Sequence, residues 1–227
     1  MQHAQFSQMS VVGDTGAAIE ALVVSEGSAA HPHVQGLIAT TVRHGVRPLA
    51  ALADATHYLC LLHGRFPGVI DHAATRCADN AARQWLVQAC EAFPDERAYL
   101  TRLTVALGPV PSTAGQNNCD SAVLQQRHAL EMLSQSDRRG CAMGAALTLV
   151  HDWAGIRRLL DQAALRCGVE PKKCGLPTPS ETLAVARAVG DDDTVARAIQ
   201  FGARQILGQH RALWNLMAHR SDLRAAE

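Results

Sequence analysis

The side chains in this chain best suited to chemistry are histidines and carboxylates at helical spacing. Asp54 and His57 are three residues apart, as are His128 and Glu131, so each pair projects from nearly one side of a helix and can share a metal ion or a proton. His151 and Asp152 are adjacent and point about 100° apart, so they cannot serve one site equally. His210 sits in an apolar line with Ile199, Ala203, Ile206, Leu213 and Met217. Burial there keeps an imidazole neutral unless a carboxylate faces it. A neutral imidazole inside a helical protein serves as a metal ligand, a general base or, more often, a hydrogen-bonded core group. Cys60, three residues from His57, forms a thiol and imidazole pair with no third orienting group, and reads as buried filler.

Carboxylate-bridged di-metal sites in four-helix bundles use Glu-x-x-His on two helices and single glutamates from two others. This chain has no Glu-x-x-His, only Asp54-x-x-His57 and the reversed His128-x-x-Glu131; these four residues are the candidate metal ligands, on a departure from the pattern. The doublets Arg138-Arg139 and Arg157-Arg158 read as solvated faces that an anionic ligand group can use. No phosphate loop, GxSxG elbow, HExxH or GxGxxG is present, which removes most of the weight from nucleotide-driven and serine-hydrolase readings.

The elements that position these residues are helices. The stretch from Gly115 to Cys167 holds two long helical patterns, and the second is small or apolar throughout Gly140 to Val150. A helix apolar nearly all round is buried, so the two are expected to form the central pair, with Ser136 or Asp137 capping the second. Upstream, Asp14 caps a helix to Val24, Pro32 opens one running to His44, and Pro48 opens another that stops at Gly64. In that third helix Leu49, Leu52, Ala53, Thr56, Cys60 and Leu61 form a stripe, with His57 inside it and Asp54 at its edge. A short helix breaks near Asp79, a longer one ends at Phe93, and Pro94 begins the next. Residues 108–115 and 168–177 are loops. Thr178, Pro179 and Glu181 make a capping box for a helix ending at Gly190, and a last helix runs from Asp191–Asp193 to about His219. Gly140, Gly144 and Ala145 give a small-residue face for close contact with another helix, within the chain or across a dimer.

Of 227 residues, 48% are hydrophobic and 4% aromatic, which with the abundant alanine and leucine favours helices. Lys plus Arg and Asp plus Glu balance at 21 each, so no net field draws the molecule to nucleic acid or an anionic membrane. Seven cysteines, an odd number with no C-x-x-C, match neither a disulfide framework nor zinc-ligand spacing and suggest a reducing compartment. No apolar run approaches the roughly 20 residues of a membrane span, and no signal peptide is legible. The expectation is a soluble cytoplasmic protein.

The segments QRHALEML, SDRRGCAMGAA and FGARQILGQHRALW resemble those of an uncharacterised bacterial family of all-helical proteins, over most of the chain from His57 onward. That resemblance implies a helical fold and brings no catalytic role. More loosely, eight or so helices in this length resemble the haem-oxygenase-like bundles; the missing Glu-x-x-His counts against the ferritin-like alternative.

The expected fold is all-α, a single compact bundle of eight or nine helices over residues 14–227 behind a flexible tail, 1–13. Three functional readings follow. The favoured one is a small-molecule pocket between the central pair and the last helix, anchored by His57, His128, Glu131, His151 and His210 and able to be catalytic. The second is a metal-dependent oxidoreductase built on the same set, and the third a non-catalytic homodimer or partner-binding protein. No motif implies a particular cofactor.

Overall fold

The centre of the molecule is a helix that is buried on every side for its first three turns. The computed structural model describes residues 14–40, 46–110, 112 and 115–226. Among these are nine α-helices and two short 3-10 turns, with no strand. In order they are α1 (Thr15–Glu26), a 3-10 turn (Ser28–Ala30), α2 (Pro32–Thr40), α3 (Val46–His63), α4 (Val69–Arg76), a second 3-10 turn (Asn80–Ala82), α5 (Arg83–Leu107), α6 (Gln116–Ser134), α7 (Cys141–Arg166), α8 (Pro179–Val189) and α9 (Asp193–Ala226). The tail 1–13 and the expected end of α2 at His44 and Gly45 lie outside the described residues.

Every residue of α7 from Cys141 to Val150 is buried, as its uninterrupted small and apolar composition requires. Its main partner is α9, not α6. Two glycines set that contact. A Cβ on Gly144 would lie 2.1 Å from the carbonyl oxygen of Ile199, and one on Gly202 would lie 2.2 Å from that of Cys141. The small-residue face is therefore used within the chain, backbone against backbone. The expected central role of α6 is corrected: Val123 and Leu130 are buried, but Leu124 and Met132 are exposed, so α6 is an amphipathic outer helix.

Other ends differ for local reasons. Pro94 lies inside α5 instead of opening a new helix. Phe93, Glu96, Arg97 and Leu100 on either side of it are buried, and their packing outweighs the ~3 kcal/mol typical of an interior proline. The cap of α7 is Gly140, at φ 93°, and not Ser136 or Asp137. Helix α9 continues past His219 because Arg220 and Arg224 reach back to Asp54 on α3. The capping box at Thr178 and Glu181 forms as the sequence dictates. One contiguous apolar core runs from Ile19 to Met217, and no helix among the described residues is long and apolar enough to cross a membrane.

Candidate functional site

Two features of the structure gather polar groups: a line of hydrogen bonds through the core and a cleft at the start of α7. The line begins at the turn after α1. The Ser28 backbone N–H donates to Asp152 Oδ1 at 2.7 Å and the Ser28 hydroxyl to Asp152 Oδ2 at 2.6 Å, while Trp214 Nε1 donates to Ser28 Oγ at 2.9 Å. An indole N–H only donates, so the hydroxyl proton must go to the carboxylate. Asp152 Oδ2 also meets His210 Nδ1 at 2.7 Å, and His210 Nε2 meets His63 Nε2 at 2.9 Å. Asp152, Ser28 and His210 are each about 1% exposed. Gly27 lets the turn close on the acid, since a Cβ there would stand 2.6 Å from Asp152 Oδ1. Three groups, the Ser28 N–H, the Ser28 hydroxyl and the His210 ring, thus converge on the buried carboxylate.

The sequence reading contained His210 and missed His63 and Ser28. His63 is the last residue of α3, on the buried row Leu52, Thr56 and Leu59. Continuing that row by one more turn is the signal that would have found it. Burial and the neighbouring His210 push the His63 imidazole well below its ordinary pKa, so it is neutral at physiological pH. His63 also borders a cleft of about 30 Å³ shared with Arg65, His72, Arg127 and Glu131, room for roughly one water molecule.

Of the remaining candidates Glu131 shares that small cleft with His63; the others lie apart from this line and mostly from each other. His57 is half-buried, its ring edge-on to Tyr58 at 5.0 Å, beside a shallow depression lined by Val105, Pro109 and Gln116. Asp54 is buried and turned from His57 to the Arg220 guanidinium, which donates at 3.2 Å to each carboxylate oxygen, and to Arg224. His128 is 73% exposed, with Glu131 3.7 Å away. His151 is half-buried; burial lowers its pKa and the Glu20 carboxylate on α1 partly opposes that. The five proposed pocket anchors thus do not converge, because their helices present them to different sides. Among the described residues no three His, Cys, Asp or Glu side chains gather to hold a metal ion; Asp54, one of the two acids of the proposed ligand set, is already ion-paired with Arg220 and Arg224.

The second feature is a cleft of about 310 Å³ where α4, the link before α7, α8 and α9 meet. Its floor is Ala142, Met143, Val189, Val195 and Ile199, and its rim carries Arg76, Arg138 and Arg139 with Asp79 and Asp137. Asp79 is occupied in capping the second 3-10 turn, accepting from the Ala81 N–H at 2.9 Å. Asp137 pairs with Arg76 at 2.7 Å but is almost fully exposed, so that pair is weak. No side chain caps α7; the Cys141 N–H turns back to the Arg138 carbonyl at 3.0 Å, and the positive end of the helix dipole lies beside the cleft.

Elsewhere the core is wired for stability. Arg157 donates to Glu96 Oε1 at 2.6 Å and to Asp161 at 2.7 Å, and Trp153 Nε1 donates to Glu96 Oε2 at 2.9 Å. This network lies under the 168–177 loop, where Arg157 also donates to the Lys172 carbonyl.

No curated protein and no solved structure matches the chain, so the haem-oxygenase-like comparison gains no support. A model of a family of unknown function, DUF6975, matches residues 23–225. With nearly the whole described bundle inside that match, the chain belongs to the DUF6975 family.

Proposed function

We propose that this protein binds a small anionic molecule with an apolar body, seated in the cleft at the start of α7. The observation that carries this reading is the combination in one cleft of an apolar floor, three rim arginines and an uncapped helix start. Its volume, about 310 Å³, is at the small end of the range of roughly 300–1,000 Å³ for small-molecule sites. An anionic group would meet arginines and backbone N–H donors, and an apolar body would cover Met143 and Ile199. The place differs from the pocket expected from the sequence: no residue of α6 lines it, and its anchors are Arg76 and the Arg138-Arg139 doublet, not the five histidine and glutamate side chains. No histidine lines the cleft, so the reading is one of binding and not of acid–base catalysis.

Calorimetric titration with octanoate, phenyl phosphate and their neutral counterparts octanol and phenol tests it. Saturable binding of an anionic probe that is lost in Arg138→Glu/Arg139→Glu is the expected result. Equal binding of the charged and neutral probes, or none of either, would refute it.

A further inference from the structure

The hydrogen-bonded line from Ser28 to His63 is outside the proposed ligand cleft, and it has a feature that packing alone does not require. Its last link joins two imidazoles through their Nε2 atoms at 2.9 Å. A nitrogen-to-nitrogen hydrogen bond holds one proton between its two atoms. His210 is fixed from its other side by Asp152 Oδ2 at 2.7 Å, and so cannot turn away without uncovering a buried carboxylate. His63 is fixed less firmly. It ends its helix, the 64–68 turn follows it, and it borders the small cleft through which protons can reach it.

We propose that the His63–His210 contact is an acid-sensitive fastener: it ties the end of α3 to α9 while a single proton lies between the two Nε2 atoms, and protonation of both rings, which places an N–H on each Nε2, parts them and loosens the 64–68 turn. Two imidazolium rings would face each other donor to donor, with no acceptor between them. The charges around His63 do not favour the cation. From α9 comes His210, and beyond it Asp152 of α7, already engaged by three donors. From α5 comes the Arg97 cation, itself paired to Asp71 of α4 at 2.5 Å. Across the small cleft stand Arg65, His72 and, on α6, Arg127 with Glu131; Arg127 and Glu131 are 3.8 Å apart and largely offset each other. The Trp153 ring packs edge-on at 5.7 Å and offers no acceptor atom. The cleft's size, about one water molecule, argues for a proton-responsive joint over a substrate site.

The sign follows from linkage. His63 is held well below its ordinary pKa of about 6.5 in the fold, so the unfolded chain takes up the proton first. Its contribution is present above about pH 6.5 and is lost as pH falls. His33 and His151 are lowered by burial as well, so wild-type acid sensitivity alone is not diagnostic; the comparison with His63→Phe is.

Urea unfolding of wild type and His63→Phe between pH 7.5 and 5.5 is the first measurement. The advantage of wild type in folding equilibrium should shrink by about tenfold at pH 5.5. Hydrogen exchange of residues 62–68 should show wild type better protected than the variant at pH 7.5 and equal to it at pH 5.5. Parallel pH profiles for the two proteins, or a protection gap that persists in acid, would overturn the proposal. Should His63→Phe fail to fold, histidine NMR of wild type decides: loss of the His63–His210 contact on acidification supports the fastener, and protonation of both rings with the contact intact refutes it.

Discussion

Asp152 and Ser28 lie 124 residues apart in sequence and hold each other by two hydrogen bonds, backbone N–H to Oδ1 at 2.7 Å and hydroxyl to Oδ2 at 2.6 Å. That pair fastens the turn after α1 to the central helix. It also holds in the core a carboxylate against which His210 is oriented. The arrangement makes Asp152 the polar residue whose loss should matter most.

Asp152→Ala should destabilise the protein by about 3–5 kcal/mol, because it strands the Ser28 donors and His210 in an apolar interior. Ser28→Ala removes one donor from a carboxylate that keeps two and leaves the buried Trp214 Nε1–H without its acceptor, and should cost about 1–3 kcal/mol. Urea unfolding at pH 7.5 measures both. A loss for Asp152→Ala no larger than that for Ser28→Ala would contradict the geometry.

Gly144→Ala and Gly202→Ala each place a methyl against backbone of the facing helix. Neither carbonyl can move without shifting a helix, so each should cost at least the ~1–3 kcal/mol typical of overpacking. Gly36→Ala and Gly208→Ala, where an added Cβ meets nothing within 4 Å, are the controls; as exposed positions inside helices they should be neutral or slightly stabilising. Thermal unfolding of the four variants separates the two classes.

Asp54 and His57 share a helix turn but not a role. Asp54→Ala leaves the buried Arg220 without its carboxylate and should cost about 3–5 kcal/mol, whereas His57→Ala, at a half-buried position, should cost less than about 1 kcal/mol. Comparable losses in unfolding experiments would mean that the two act together after all.

Thr178→Ala breaks the capping box of α8, where Thr178 and Glu181 satisfy each other's backbone N–H groups at 3.3 and 2.7 Å. About 1 kcal/mol should be lost. The carboxylate of Glu181 is held below its ordinary pKa by its bonds to the Thr178 hydroxyl and backbone N–H. This contribution is present above about pH 4.5 and disappears as pH falls below it, so the difference between wild type and Thr178→Ala should narrow at pH 3.

The helices, their order and several of their ends were legible in the sequence, because those depend on neighbours a few residues away. Asp14 caps α1, Pro32 opens α2, Gly64 ends α3 and the Thr178 box starts α8 for reasons contained in single turns of chain. The burial of α7 followed from its composition alone. What the linear pattern did not contain was the choice of partner. Whether α7 would lean on α6 or α9 was decided by where Gly144 and Gly202 allow two backbones to touch. The functional residues divide in the same way. His210 was visible as a polar break in an apolar line, but its partners Asp152 and His63 come from helices 58 and 147 residues away. Asp54 looked like a partner for His57 until α9, extended by about two turns, delivered Arg220 and Arg224 to it. Helical spacing shows only which side chains one helix can present together; which of them meet is set by the crossing of separate helices, and that is fixed by packing across the whole core.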